Sequence, residues 1–192
     1  MRLLALYLRS RLADRALGLL LLCGVVDMFW MQHFPPDEIW RTLALAVLPL
    51  LPAVVISAGA RSPFGDIERG ASRPVGPIRL GHLLALALIA ALMLLGASVI
   101  VNGGIERELV RNLAGYLGLS LLAAWLIGTG VAWVIPLAYA TLAFILPPAR
   151  SLAWPARYPL DARSLAIAAG LLALGLLAVT LRGTRDRPEE RV

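Results

Sequence analysis

Residues 112–146, NLAGYLGLSLLAAWLIGTGVAWVIPLAYATLAFIL, carry no charged side chain and one interruption, Gly128-Thr129-Gly130. A helix rises about 1.5 Å per residue and needs about 20 apolar residues to cross a hydrocarbon core of about 30 Å. The block is therefore too long for one crossing, and glycines on both sides of Thr129 favour a tight turn between two helices. The break predicts spans at 112–128 and 131–147. Without a turn there, the two merge and the total falls to five.

Outward from this block, four more apolar runs of spanning length stand at 16–34, 42–59, 80–101 and 164–182. Of 192 residues 59% are hydrophobic and 16% charged, with a mean hydropathy of +0.79, which is far too apolar for a water-soluble domain of this length. The predicted fold is all-α: a single polytopic transmembrane bundle of about six spans over residues 1–192.

Orientation follows from arginine, because positive side chains near span ends are retained in the cytoplasm. Arg2, Arg9, Arg11 and Arg15 precede the first span, Arg61, Arg69, Arg73 and Arg79 join the second and third, and Arg182, Arg185, Arg187 and Arg191 follow the last. The other side carries Arg41, Arg107, Arg111, Arg150, Arg157 and Arg163. Twelve against six predicts cytoplasmic N- and C-termini, with 183–192 as a cytoplasmic tail. The external segment 148–163 departs from the rule with three arginines. The N-terminal arginines followed by an apolar run also look like a signal peptide, but no small-residue cleavage site follows, so an uncleaved first span is expected. Trp30, Trp40, Trp154 and Tyr158 are expected at headgroup level.

Within the spans, Pro49 and Pro52 are expected to interrupt the second and Pro136 the fifth, each removing a backbone donor. Kinks of this kind border a pathway or are static bends, and both readings stay open. Asp27 is the one acidic residue well inside a span, where a carboxylate is costly enough to raise a functional suspicion. It either couples transport or sits partly hydrated, or bonded to a neighbouring helix, near the outer interface. Ala166/Gly170 and Ala169/Ala173 could admit a close helix. The lone cysteine, Cys23, excludes an intrachain disulfide.

The longest hydrophilic loop, 60–79, contains Arg61-Ser-Pro-Phe-Gly-Asp-Ile-Glu-Arg-Gly-Ala-Ser-Arg-Pro74. Ser62 can cap a short helix with Pro63 at its first position, Asp66 and Glu68 near its start and Gly70 at its end. Such a helix, with Phe64 and Ile67 among charges, suits a groove on a cytoplasmic partner; an interfacial loop anchored by arginine is the other reading.

Several chemistries lack their parts. All 18 basic residues are Arg, so the chain has no phosphate-binding P-loop lysine. His33 and His82 are far apart, no zinc motif occurs, and no histidine follows residue 82 to serve Ser120 or Ser151. Asp66 and Glu68 form only a minimal acidic pair. No catalytic residue, metal site or cofactor is expected, and the arginine excess reads as topology rather than nucleic-acid binding.

Six stretches carry a family resemblance: Tyr7-Leu-Arg-Ser-Arg11, Leu48-Pro-Leu-Leu-Pro52, residues 62–69 with Ala71-Ser-Arg-Pro74, Arg111-Asn-Leu-Ala-Gly115, Ala132-Trp-Val-Ile-Pro-Leu-Ala-Tyr139 and Trp154-Pro-Ala-Arg157. With them the chain resembles the small six-span permease-like proteins of actinobacteria related to ABC-2 type ABC transporters. That resemblance implies a plasma-membrane exporter subunit that works with a separate ATP-binding subunit and a second membrane subunit, identical or not. It implies a coupling helix in which Phe64, Asp66, Ile67, Glu68 and Arg69 meet the ATPase, and a re-entrant external segment at 148–163. A non-transporting membrane scaffold and, less favoured, a lipid-modifying enzyme are the alternatives.

Overall fold

The computed structural model describes residues 13–33, 37–61, 76–102, 106–145, 154–155 and 160–184, and every regular element among them is helical. The helices are α1 (Ala13–His33), α2 (Glu38–Val47), α3 (Leu50–Gly59), α4 (Gly76–Asn102), α5 (Arg107–Ile127), α6 (Val134–Ile145) and α7 (Ala162–Arg182). Five stretches are long and apolar enough to cross a membrane: α1, the combined α2–α3 rod, α4, α5 and α7.

Exposed leucines cover these helices where a soluble protein would place polar groups. Leu17, Leu21, Leu22, Val25 and Phe29 on α1, Leu84, Leu88 and Leu92 on α4, and Leu174, Leu177 and Leu181 on α7 all face outward. Such a surface suits an apolar solvent and suggests a membrane protein. The inward stripes of the same helices, including Leu20, Leu83, Leu86, Leu94, Ala168 and Val179, form one core with α5.

Helix directions can be read from contacts at the two ends. Trp30 meets Trp40 edge-on at 6.2 Å, Arg41 pairs with Glu106 at 2.8 Å, and the Glu106 amide donates to Ser98 Oγ at 3.4 Å. These contacts gather the end of α1, the start of α2, the end of α4 and the start of α5 at one end, the upper one. At the lower end Arg79 Nη1 donates to Val179 O at 2.8 Å, joining the start of α4 to the end of α7. The rods therefore alternate in direction from α1 to α5. α7 breaks the alternation: Arg111 meets Ser164, Gly118 meets Leu171 and Trp125 meets Arg182, so α5 and α7 run parallel.

The interface between α5 and α7 is the most extensive in the bundle, and two glycines make it so. A Cβ at Gly118 would fall on the Leu171 backbone, and one at Gly175 would stand 2.6 Å from Gly118 O. In lipid, where water does not drive helices together, such close backbone approach is a principal source of association. Arg79 and Gly183 close the lower end of α7. Gly183 takes φ 77° and returns its amide to Val179 O at 2.9 Å, while the Arg79 guanidinium supplies positive charge where the helix dipole is negative. Replacing Arg79 with Met should lower thermal stability by about 1–2 kcal/mol, read as a fall in the melting midpoint in detergent.

The block 112–146 does break where expected. α5 stops at Ile127, Gly128 takes φ 100°, and turns occupy 129–133. Because the turn consumes those residues, the expected 131–147 span is a helix of only 12 residues, Val134–Ile145, about 18 Å long. Pro136 does not interrupt it. As the third residue of α6, Pro136 lies in the first turn, where its missing N–H has no helical partner to lose, and Leu137 N still reaches Trp133 O at 3.2 Å. The second span, by contrast, is divided: α2 ends at Val47 and α3 begins at Leu50, with Pro49 in the turn between them and both Pro49 and Pro52 buried.

Candidate functional site

A buried polar cluster lies at the upper end, and the divided second span explains it. Pro49 has no N–H, so the carbonyl four residues earlier, Leu45 O, loses its helical donor. An unsatisfied carbonyl at this depth is costly. Asn112 on α5 supplies the donor, with Nδ2 2.7 Å from Leu45 O. The same Nδ2 lies 2.9 Å from Pro155 O, and the Asn112 Oδ1 accepts from Arg111 Nε at 2.9 Å.

Arg111 extends the network. Its Nη1 donates to Ser164 Oγ at 3.1 Å and its Nη2 to Pro155 O at 3.3 Å, while Ser164 Oγ donates onward to Asp161 O at 3.0 Å. Glu108, one turn earlier, accepts from the Leu160 amide at 3.0 Å. Arg111 is 1% exposed and Asn112 fully buried. Two adjacent residues of α5 thus hold three separate pieces of chain: the kink of α2–α3, the segment at 154–155 and the start of α7.

Trp154 brings that segment inside. It was expected at headgroup level but is fully buried, its ring over Gly115, where a Cβ would overlap it. The ring centroid is 5.5 Å from Tyr116 and 5.8 Å from Tyr139, stacked on the latter. The glycine is what admits it, because any larger residue at 115 would exclude the indole. Residues 154–155 therefore reach the depth of residues 111–116 of α5.

No family model matches the chain, and no curated protein or solved structure is significantly similar to it. Function therefore has to be argued from the arrangement itself.

Asp27 lies apart from the polar cluster. Ala16, Leu20, Cys23, Asp27 and Trp30, spaced alternately by four and three, form the inward stripe of α1, and Asp27 is only 1% exposed. Its Oδ1 has no hydrogen-bond partner among the described residues. Among the described residues no three His, Cys, Asp or Glu side chains come together. Phe64, Asp66, Ile67, Glu68 and Arg69 lie outside the described residues, as does Tyr158.

The sequence marks no site at Arg111, Asn112 and Glu108, because it places Arg111 among the external charges and the start of the span at Asn112. One signal was present. Glu108, Asn112, Tyr116 and Ser120 recur every four residues, so the buried face of α5 continues back through polar residues to Glu108.

Proposed function

We propose that the chain is the membrane subunit of an ABC-type exporter in the plasma membrane, driven by a separate ATP-binding subunit and paired with a second membrane subunit. The supporting observation is the alternation of the rods. Arg61 and Gly76, which bracket the 62–69 segment, stand at the lower end with the start of α1 and the end of α7. Among the described residues that end carries Arg15, Arg61, Arg79 and Arg182 against Asp14 alone, whereas the upper end carries Asp37, Glu38, Glu106, Glu108 and Asp161 beside its arginines. An arginine excess over acids at one end favours that end as cytoplasmic, where an ATPase would dock.

Parallel α5 and α7 add to this reading. Two helices that cross in the same sense require a return crossing between them, and residues 128–161 are the only chain available. Among the described residues α6 lies in this stretch, and we take it as part of the return crossing. The count is then six crossings, with both termini cytoplasmic. In this scheme nucleotide-driven closure of the ATPase presses on 62–69, and the force enters α3 and α4. The Pro49 joint, tied through Asn112 to the 154–155 segment, passes it to the external end.

The test is to purify the chain in mild detergent from its native host and identify what accompanies it. A protein with Walker motifs is expected, and Phe64→Ala with Ile67→Ala should reduce its recovery at least about tenfold, the effect expected when an interface loses two apolar side chains. If no such ATPase is recovered with the wild-type chain, the exporter reading gives way to that of a membrane scaffold.

A further inference from the structure

We propose that Asp27 is a proton-binding site, occupied by a proton in the packed bundle and emptied when α1 separates from α3 and α4. Four observations converge on it: the residue's place on the inward stripe of α1, its burial and, among the described residues, the unpartnered Oδ1 and the lack of a nearby cation. An ionised carboxylate without a partner at this depth is unfavourable, while the neutral acid is tolerated.

α1 packs on α3 and α4, with Gly24 facing Met93, whose Sδ would stand 3.6 Å from a Cβ added at position 24. α3 contains no ionisable residue, and α4 contains only His82 and Arg79, about three and about four turns below Met93 toward the lower end. On α2, Arg41 is paired with Glu106, and Glu38 stands at the start of the helix. On α1 itself, Asp14 and Arg15 are at the lower end, His33 lies at the upper end with Nδ1 3.0 Å from Phe29 O, and Cys23 shares the stripe one turn away. None of these groups places a positive charge beside Asp27, so a proton is the neutralising ligand that fits. The site would make the docking of α1 depend on pH, and it does so with or without an ATPase partner.

The sign follows from proton counting. In the unfolded chain an aspartate is ionised above about pH 4. If the folded chain keeps the proton, it binds one more than the unfolded chain, so stability falls as pH rises until the folded site also ionises. The experiment compares tryptophan-fluorescence melting of the full chain in lipid nanodiscs with that of Asp27→Asn, from about pH 5 to about pH 8. The wild-type midpoint should fall by about 5 °C or more, while Asp27→Asn, which is neutral throughout, should stay level. Equal pH profiles for the two proteins would overturn the proposal. So would stabilisation by sodium ions at about pH 8 that only the wild type shows, since that marks an ion site instead. Should Asp27→Asn fail to fold, infrared titration of the wild type and Asp27→Glu still decides. A protonated-carboxyl band that persists at neutral pH and moves in Asp27→Glu upholds the site, and its absence refutes it.

Discussion

Gly118→Val is expected to abolish the native packing of α5 on α7, with a loss of stability of about 3–5 kcal/mol. The added carbons would meet the Leu171 backbone rather than a side chain that could turn away. Ordinary overpacking costs about 1–3 kcal/mol because neighbours adjust, but here the two helices must separate along their length. Separation also strains the Arg111–Ser164 hydrogen bond above and the Arg182–Trp125 contact, 5.8 Å from guanidinium to ring, below. Against a typical total stability of about 5–15 kcal/mol this is a large fraction. The measurement is reversible unfolding in mixed micelles, with the monodisperse fraction after purification as a second readout. Gly170→Val is the control. Gly170 lies on the exposed face of α7, where an added Cβ meets nothing within 4 Å, so its cost should stay below about 1 kcal/mol. Equal effects of the two substitutions would rule out the parallel α5–α7 interface.

The second large effect concerns the proline joint. Asn112→Ala removes the donor to Leu45 O and one of the donors to Pro155 O, and it takes the acceptor from Arg111 Nε. Groups left unsatisfied in a buried setting cost about 1–3 kcal/mol each, so a loss of about 2–4 kcal/mol is expected. Pro49→Ala restores an N–H four residues after Leu45, and the rod can then supply its own donor. The double variant Pro49→Ala with Asn112→Ala should therefore lose less than the sum of the single changes, with a coupling of about 1 kcal/mol. Strict additivity would mean that Asn112 does not serve the carbonyl freed by Pro49. Under the exporter reading the same pair has a functional readout: a straightened rod should weaken transport even where stability recovers.

Much of the fold was legible from the chain alone, and particular residues show why. The runs at 16–34, 80–101 and 164–182 correspond to α1, α4 and α7 within a few residues, because the length of an apolar run is a local property that the bilayer thickness reads directly. Gly128 announced its turn because a left-handed backbone conformation selects glycine. Pro136 misled because the effect of a proline depends on its distance from the helix start, and the start at Val134 was set by how many residues the preceding turn consumed. Trp154 misled for a related reason. An aromatic side chain in a connecting segment is ordinarily an interfacial anchor, and its burial here depends on the gap at Gly115, which lies 39 positions earlier in the chain (154 − 115).

The 112–146 block shows the same division. Its composition determined that the helices are apolar enough to cross a membrane and that they break at Gly128. That α5 then lies parallel to α7, that Asn112 completes the bonding of a helix kinked at Pro49, and that Asp27 faces inward with no partner for its Oδ1 among the described residues were decided only by tertiary structure. Hydropathy and helix-breaking act over one or two turns and are written in neighbouring residues. Hydrogen-bond satisfaction and close packing join residues far apart in the chain, such as Asn112 with Leu45 and Gly118 with Leu171, and no local pattern specifies which distant group will arrive.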